Sequence, residues 1–573
     1  MKMQPMLPNF YVKRLLVFNQ EKLPVLFNLL AERFDQEEKA LNQLDASVGD
    51  GDHGTTVNRA FQAAAGVSFE TYPDLGSGFD AVSLVLAEQA GGAIGPLLAA
   101  FFAELGVHFS GKQTVQTTDL AEAMRDGIQA IQQVGGASVG QKTLLDALVP
   151  AVQQLLQTKE LPLKNAMQQA ASAARQGAEA TKEMVAQHGR AHFLGQRSKG
   201  YQDAGATSIA ILFETWLAVL EGVLPDSQPK PEKDKTHFVP PVGKLINHPD
   251  DLITQDQEGL VMAFPQHVAL TTAGILVRAK SKAVGKVGLA IGHGGGHTPS
   301  MGGFIGTGLL DADVYGPLFT CASGIRISQA IQAADKGAGV VLLVSNHSGD
   351  VLNARLAVRR AVQMGIQVTP VYLGDDIATA PRESYQERRG LGGLLFALKI
   401  GGAAAEAGES LPEVVSLMER TNRNTATLAV AVRPPTHPVT GEPLFSLPPG
   451  EIEIGTGVHG EVGVYRGPHL PADQIVDLLL EKILADLAPL QTGKVLAFLN
   501  GSGGTSKMEL HILYRRVKQN LEKAGITLVA GVVDSLFTTL EMGGFSLSIC
   551  AVDKTLTQWW QKPAQAPYFR WPV

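Results

Sequence analysis

Cysteine is nearly missing from this sequence of 573 residues: only Cys321 and Cys550 occur. Two thiols cannot build a disulfide framework or a thiolate metal site, and their scarcity fits a reducing compartment. Long apolar runs are missing too. The best candidate, Ile209 to Leu224, is interrupted by Glu214 and Glu221, which argues against a membrane span of about 18 or more apolar residues. The opening segment MKMQPMLPNFYVKRLL has no apolar core of secretory length followed by a cleavage site. Nor is there an excess of positive charge. With 48 Lys and Arg against 55 Asp and Glu, the net charge is −7, and nucleic-acid binders usually carry a basic footprint. These absences lead to the expectation of a soluble, cytoplasmic chain with neither nucleic acid nor membrane as partner.

Glycine, by contrast, is abundant, with 62 residues. It is not arranged in repeats but gathers beside Asp and His, as in tight ligand-binding loops. The length calls for more than one core. The stretch LPDSQPKPEKDKTHFVPPVG, residues 224–243, is too rich in proline and charge to pack and reads as a tether. Before it, Leu120, Ala123, Met124, Gly127, Ile128 and Ile131 recur at helical spacing, with Thr118 as the expected N-cap. Leu144 to Leu156 and Ile209 to Leu220 repeat the pattern, so residues 10–223 are expected to be an all-α domain. After it, short apolar runs at 287–292, 339–346, 368–374, 495–500, 526–533 and 545–552 alternate with helical stretches such as Leu356 to Met364. Residues 244–573 therefore read as an α/β half, expected to form two lobes.

The most informative stretch of the first half is LDASVGDGDHGTTVNRAF, Leu44 to Phe61. Glycines around Asp50 allow a sharp loop on which Asp45, Asp50 and Asp52 converge. Hard carboxylate oxygens suit Mg²⁺, which also takes phosphate oxygens and water. His53, Gly54, Thr55 and Thr56 then open a helix whose N–H groups can meet phosphates. A solvated acidic turn and a calcium loop are the alternatives, but the EF-hand spacing and its closing Glu are absent. In the second half, three loops place ionisable groups beside glycines: Ile291 to Gly316, Ser345 to Ala357 and Glu451 to Gly463. Such loops can bind a small polyol through close backbone approach and a few side chains. None of the histidine spacings is a familiar zinc motif.

The acidic loop resembles that of the dihydroxyacetone kinase family, whose pattern is D-x4-D-G-D-H-G. The likeness continues through GGAIGPL (91–97), GQKTLLDALVPA (140–151) and GRAHFLGQRSKGYQDAGATS (189–208). It implies an eight-helix barrel in which Asp45, Asp50 and Asp52 hold two Mg²⁺ ions. His53, Gly54, Thr55, Thr56, Ala93, Ile94, Gly140, Val149, Arg190, Asp203, Ala204 and Gly205 would surround ATP. The second half resembles the substrate-binding half of the same family from KLINHPDDL (244–252) to GSGGTSKMELHILYRRV (501–517). There His459, in the motif G-x-H-G-E, would bond covalently to a ketone carbon. His297 and Asp350 would handle the substrate hydroxyl, and Gly294, Gly295, Gly296 and Ser345 would line its pocket.

The resemblance implies an ATP-dependent kinase of a small hydroxyketone, dihydroxyacetone first, working as a homodimer. The order, nucleotide half first, is the reverse of the usual fused kinases. Ile94 stands where the family usually has Ser, Ala204 where it has Pro, Ser345 where it has Lys, and Gly295 where it has Ser. The last two changes are expected to make room for a larger or differently shaped ketose, and erythrulose is the second candidate. Cleavage of FAD to a cyclic flavin phosphate and a non-catalytic ligand sensor are further alternatives.

Overall fold

A computed structural model describes residues 17–49, 51–226, 238–461, 463–490 and 493–572. The chain divides into two compact units, Met1–Lys233 and Asp234–Val573. Residues 227–237 of the tether expected at 224–243 lie outside the described residues, as does Asp50.

The first unit holds eight α-helices among its described residues: α1 (Lys22–Ala46), α2 (His53–Ala65), α3 (Leu75–Gln89), α4 (Ile94–Phe109), α5 (Thr117–Gly135), α6 (Leu145–Gln157), α7 (Leu163–Ala180) and α8 (Ala204–Glu221). Each packs on the next, and α8 returns to α1, so the ring closes. Aromatic side chains fill much of its interior. Phe27 stacks on Phe69 at 5.5 Å and on Phe61 at 6.4 Å, and Phe79 bridges Phe102 and Trp216, each at 6.1 Å. Large rings bury much apolar surface per residue, which lets short helices enclose a continuous core. Helix α8 is long and apolar enough to cross a membrane, but 13 of its residues are buried inside this barrel. Helix α5 begins two residues earlier than a Thr118 cap would place it. Gln116 precedes it, with its N–H donated to the Asp119 carboxylate at 3.1 Å, so Thr118 lies in the first turn instead of capping it.

The second unit contains two six-stranded sheets. The first uses β1 (Val268–Leu270), β2 (Leu276–Arg278), β3 (Gly288–Gly295), β4 (Ala312–Leu318), β5 (Val340–Val344) and β6 (Val368–Tyr372), in the order β1-β2-β4-β3-β5-β6. Strands β4, β3, β5 and β6 run parallel, and β1 and β2 form an antiparallel edge. The second uses β7 (Thr425–Arg433), β8 (Glu451–Ile454), β9 (Tyr465–Pro468), β10 (Lys494–Gly501), β11 (Thr527–Asp534) and β12 (Gly543–Ala551), in the order β9-β8-β7-β12-β10-β11. Only β10 and β11 pair in parallel there.

Helices α9 (Leu252–Ala263), α10 (Gly324–Ala334), α11 (Ser348–Gln363), α12 (Leu394–Ala407), α13 (Leu411–Arg423), α14 (Ala472–Leu487), α15 (Lys507–Lys523) and α16 (Lys554–Trp560) complete the unit. Leu289, Ile291 and Leu343 of the first sheet share one core with Leu496 and Phe498 of the second and with α12. Helices α10 and α11 cover the far face of the first sheet, and α14 and α15 that of the second. The two lobes are thus joined by a common interior. This is why α12, LLFALKIGGAAAEA, is apolar nearly all round.

One charged group sits in that interior. Lys399 of α12 is fully buried, donates to the Trp559 carbonyl at 3.2 Å and lies 5.8 Å from the Trp560 ring centre. Burial lowers its pKa to about 7. The unfolded chain, with lysine near 10.4, therefore binds the proton more tightly, and stability is lost as pH falls from about 10 towards 7. Lys399→Met is expected to raise the melting temperature by a few degrees, with a larger gain at pH 7 than at pH 10. Thermal unfolding at both values tests this.

Candidate active site

In the helical unit the acidic loop joins the end of α1 to the start of α2. The Asp45 carboxylate receives the N–H groups of Gly51 at 2.8 Å and Asp52 at 3.1 Å, both on Oδ2. Asn42 and Glu38, one and two turns earlier on α1, bind Thr55. The Thr55 N–H donates to Asn42 Oδ1 at 3.1 Å, and its hydroxyl to Glu38 Oε1 at 2.8 Å. His53, the first residue of α2, meets the Ser208 hydroxyl of α8 at 2.8 Å, and burial lowers its pKa. Two distant loops close on the same end of the barrel. Asp146 ties down the turn before α6 by accepting the N–H groups of Gly140 and Thr143. Asp203 caps α8 by accepting from Ala206 at 2.7 Å. Burial raises the Asp203 pKa to about 7, and the charges of Asp146 and Asp45 push the same way.

Carboxylates crowded without enough cation are what a divalent-ion site looks like before its ion is counted. Asp45 and Asp52, which flank the loop at the start of α2, are hard oxygen donors of the kind that fit Mg²⁺. Lys142 holds the long α7–α8 connection to this end. It is buried and donates to the carbonyls of Thr181 at 2.9 Å, Ser198 at 2.7 Å and Tyr201 at 2.6 Å. Ala93 immediately precedes α4 and Ile94 is its first, buried residue. Arg59 of α2 links this corner to the loop by donating to the Gln89 carbonyl at 3.0 Å while lying in the field of Asp52. Ala204 and Gly205 open α8. Val149 is half-buried on α6, one turn beyond Asp146. Arg190 begins a 3₁₀ segment, and its side chain lies outside the description.

In the α/β unit the sequence-picked residues gather at the carboxyl ends of β3 and β5, where open α/β sheets present their ligands. His297 follows β3 and meets His459, 162 residues later, with their Nε2 atoms 3.2 Å apart. The far side of each ring is engaged. His297 Nδ1 lies 2.7 Å from the Thr538 carbonyl oxygen, and His459 Nδ1 lies 3.3 Å from Glu461 Oε1. Phe319 packs beside both imidazoles, at 5.3 and 5.4 Å between ring centres. The loop after β11 holds the pair together. Thr538 donates its hydroxyl to the Thr298 carbonyl at 2.8 Å, Leu540 donates its N–H to Gly296 at 3.2 Å, and Thr539 donates to Val458.

Glu461 is buried and also accepts the His459 N–H at 2.9 Å. Arg389 Nη1 stands 3.9 Å from Glu461 Oε1, while its Nε donates to Asp376 at 2.7 Å and its Nη2 to the Gly455 carbonyl at 2.9 Å. A Cβ on Gly457 would come within 2.1 Å of Glu461 and 2.5 Å of Arg389, so the second glycine of GTGVHGE makes space for this ion pair. Burial alone would raise the Glu461 pKa, but His459 and Arg389 hold it well below the usual range. His347, Glu461 and His459 present possible ligand atoms within 4.8 Å of one another. The guanidinium beside the same carboxylate already supplies positive charge there.

Asp350 lies in the first turn of α11, near enough to His293 and His347 to act on both electrostatically. Ser345 and Gly390 pair through backbone at 3.0 Å. The structure corrects one expectation. Gly295 does not open the pocket, because a Cβ there would lie 2.0 Å from Cδ1 of Ile253 on α9. Ile253 occupies the space that a side chain at 295 would need. Sequence reasoning passed over Glu461, Arg389, Phe319 and Thr538. Only Glu461 was signalled, as the last letter of its motif.

Burial drives the His347 pKa to about 4 and that of His297 well below the ordinary histidine value. Below about pH 6.5 the unfolded chain binds protons that these two rings refuse. Stability contributed by the neutral rings is therefore lost as pH falls from about 6.5 towards 4. Melting temperature followed from pH 7 to pH 5 should drop, and His347→Gln should flatten the slope. An unchanged slope would exclude His347 as a source of it.

The sequence matches the DAK2 domain model over residues 47–218 and the Dak1 domain model over residues 258–568. It is 37% identical over 330 residues to an L-erythrulose kinase of Pectobacterium atrosepticum, a match covering 57% of this chain and 56% of that protein. It is 38% identical over 310 residues to the dihydroxyacetone-binding subunit of PTS-dependent dihydroxyacetone kinase 1 of Listeria innocua, covering 54% of this chain and 94% of the subunit. Among solved structures it resembles the dihydroxyacetone kinase of C. freundii in complex with AMP-PNP and Mg²⁺, with TM-score 0.54 and 30% identity. That match covers 58% of this chain and 61% of the other. The match to the erythrulose kinase thus spans little more than half of that relative's length. With a DAK2 domain first and a Dak1 domain second, on a helical ring and a two-lobed α/β unit, the chain belongs to the dihydroxyacetone kinase family.

Proposed function

We propose that this protein transfers the γ-phosphoryl group of ATP to a hydroxyl of a small hydroxyketone, with dihydroxyacetone as the first substrate. The observation that carries the reading is the facing pair of imidazole nitrogens of His297 and His459, 3.2 Å apart beside the backbone of Gly294, Gly295 and Gly296. A nitrogen that adds to a carbonyl distinguishes a ketone from a polyol more sharply than hydrogen bonds to shared hydroxyls do. In this reading His459 Nε2 forms a bond to the ketone carbon, and the carbonyl π pair moves to oxygen, which takes up a proton. His297, kept neutral by burial, and Asp350 orient the hydroxyl and accept its proton as it attacks phosphorus. Ser345 belongs to the wall of the same pocket.

The barrel end supplies the donor side. Asp45, Asp50 and Asp52 would hold Mg²⁺, as two ions, which neutralises charge on the phosphate oxygens. His53, Gly54, Thr55 and Thr56 present the start of α2 to the phosphates; the Thr55 N–H is held by Asn42 and the Thr56 N–H by the Asp52 carbonyl, so the N–H groups of His53 and Gly54 are the ones that would meet the anion. Ala93, Ile94, Gly140, Val149, Arg190, Asp203, Ala204 and Gly205 complete the nucleotide pocket. We assign residues 10–223 to this domain, 224–243 to a tether and 244–573 to the ketone-binding domain. A cytoplasmic homodimer accords with the sequence scarce in cysteine and with the family. A four-carbon ketose is the second reading, favoured by the likeness to an erythrulose kinase.

A panel of three- and four-carbon ketoses and their polyols, with ATP and Mg²⁺, tests the proposal and ranks the substrates by kcat/KM. No turnover with any of them would refute kinase activity. His459→Ala is expected to lose the preference for ketone over polyol, and a mutant that keeps it would place carbonyl recognition elsewhere. Asp50→Asn removes one charge from the acidic loop and should lower kcat by about 10²-fold or more, since metal clamps supply several kcal/mol of transition-state stabilisation. Near-wild-type turnover would remove Asp50 from the metal site.

A further inference from the structure

The side of each imidazole facing away from the pair fixes what the facing nitrogens can do. A carboxylate only accepts hydrogen bonds, and so does a carbonyl oxygen. His459 Nδ1 lies 3.3 Å from Glu461 Oε1, so in the favourable arrangement that nitrogen carries the proton. His297 Nδ1 lies 2.7 Å from the Thr538 carbonyl and carries its proton for the same reason. In neutral rings both Nε2 atoms are then bare, yet they face each other at 3.2 Å with no hydrogen to share. Lone pair opposes lone pair, and a molecule bringing an electrophilic carbon and a hydroxyl hydrogen would relieve both at once.

We propose that Glu461 is a positioning residue that holds His459 as the Nδ1–H tautomer, leaving Nε2 as the nucleophile, with Arg389 as the cation that keeps the carboxylate in place. This inference rests on the ketone-binding reading of His459 and names what makes that reading chemically possible. The geometry is specific to the acid. Glu461 Oε2 accepts the His459 backbone N–H at 2.9 Å while Oε1 faces the ring of the same residue. The two carboxylate oxygens thus fix both the loop and the ring. Arg389 approaches Oε1 to 3.9 Å and is itself anchored by Asp376 and the Gly455 carbonyl.

The step balances. The Nε2 lone pair forms the N–C bond while the carbonyl π pair becomes an alkoxide, and the ring gains a positive charge facing Glu461. The Nδ1 proton passes to the carboxylate and on to solvent, while the alkoxide takes up one proton from solvent, giving a neutral adduct and returning Glu461 to its ionised form. The carboxylate therefore orients the ring before attack and relieves the ring of its charge afterwards by accepting that proton. The nearby His347 ring, 3.9 Å from Glu461 through Nδ1, donates from its other nitrogen towards the Gly390 carbonyl at 3.3 Å. It therefore faces the carboxylate with a bare nitrogen and does not compete as a donor.

An amide at this position cannot reproduce the arrangement. Whichever way Gln is turned, its NH₂ opposes either the His459 N–H or the Nδ1–H. The experiment uses the full chain with dihydroxyacetone labelled with ¹³C at its carbonyl and no ATP, reading the tetrahedral-carbon signal of the adduct. Glu461→Gln is expected to lower the adduct population at least about tenfold, as misassigned tautomers do in catalytic triads, with ATP affinity unchanged. Glu461→Asp, which keeps an acceptor-only group, should recover part of the signal. A Glu461→Gln adduct equal to wild type overturns the inference while leaving the covalent reading intact. A wild-type protein with no adduct instead removes the covalent reading. Should Glu461→Gln not fold, the ¹⁵N spectrum of histidine-labelled wild type decides directly. A proton on His459 Nε2 rather than Nδ1 refutes the assignment.

Discussion

The buried chain of charge Asp376–Arg389–Glu461 is the constraint on which the α/β half turns. All three residues are essentially inaccessible to water, and ions stripped of water are costly unless their hydrogen bonds and counter-charges are supplied in place. Here they are. Asp376 receives Arg389 Nε and the Ala378 N–H, Arg389 also reaches the Gly455 carbonyl, and Glu461 receives the His459 N–H. Strand ends from both lobes meet in this chain, because Asp376 follows β6 of the first sheet and Gly455 follows β8 of the second. Removing one member would leave the others charged and unpaired, so the network fixes the two loops against each other as well as orienting a ring.

The acidic end of the helical barrel works in the opposite way. Its cations act on the carboxylates from a distance: Arg59 lies in the field of Asp52, and Lys142 in that of Asp203. Lys142 spends its hydrogen bonds on backbone carbonyls of the α7–α8 connection. Burial, with the charges of Asp146 and Asp45, raises the Asp203 pKa to about 7. The α/β unit therefore sets its buried charges against one another around the histidine pair. The helical unit holds a buried carboxyl whose raised pKa suits the metal and phosphate of the proposed function.

How far this could be read from sequence depended on whether the signal was local. Six apolar runs located six of the strands, and those that became β3 and β5 are buried strands of a parallel ladder, which read as continuous apolar words. The runs around 287–292 and 339–346 became β3 and β5, with the histidine loops directly after them. The Asp45 carboxylate meets the N–H groups of Gly51 and Asp52 because they flank one turn, and His459 meets Glu461 because they lie two residues apart. Thr538 and Arg389 could not be found that way. Thr538 meets His297 across 241 residues, and Arg389, although followed by Gly390, Gly392 and Gly393, lies 72 residues from Glu461 in a stretch with no histidine beside it. Thr118 was misplaced as a cap because a Gln before a helix is a weaker word than a Thr, and Asp119 made the contact instead.

Gly295 shows why a substitution cannot be interpreted from the substituted position alone. Exchanging a serine for glycine deletes volume, and deletion suggests a larger pocket. Yet interiors are close-packed, and volume lost at one position is commonly occupied from another. Ile253, brought from a separate helix, stands where the side chain would project, so the two positions act as one packing unit. An apolar methyl then faces the backbone where a hydroxyl would have offered a hydrogen bond, which changes the polarity of that wall and not its width. Ser345 is a different case. A cation is lost there without a replacement in the same loop, and the nearest buried cation around the histidine pair is Arg389, already committed to Glu461 and Asp376. Under the proposed function, substrate selectivity would therefore depend on polarity and charge around the histidine pair more than on added space.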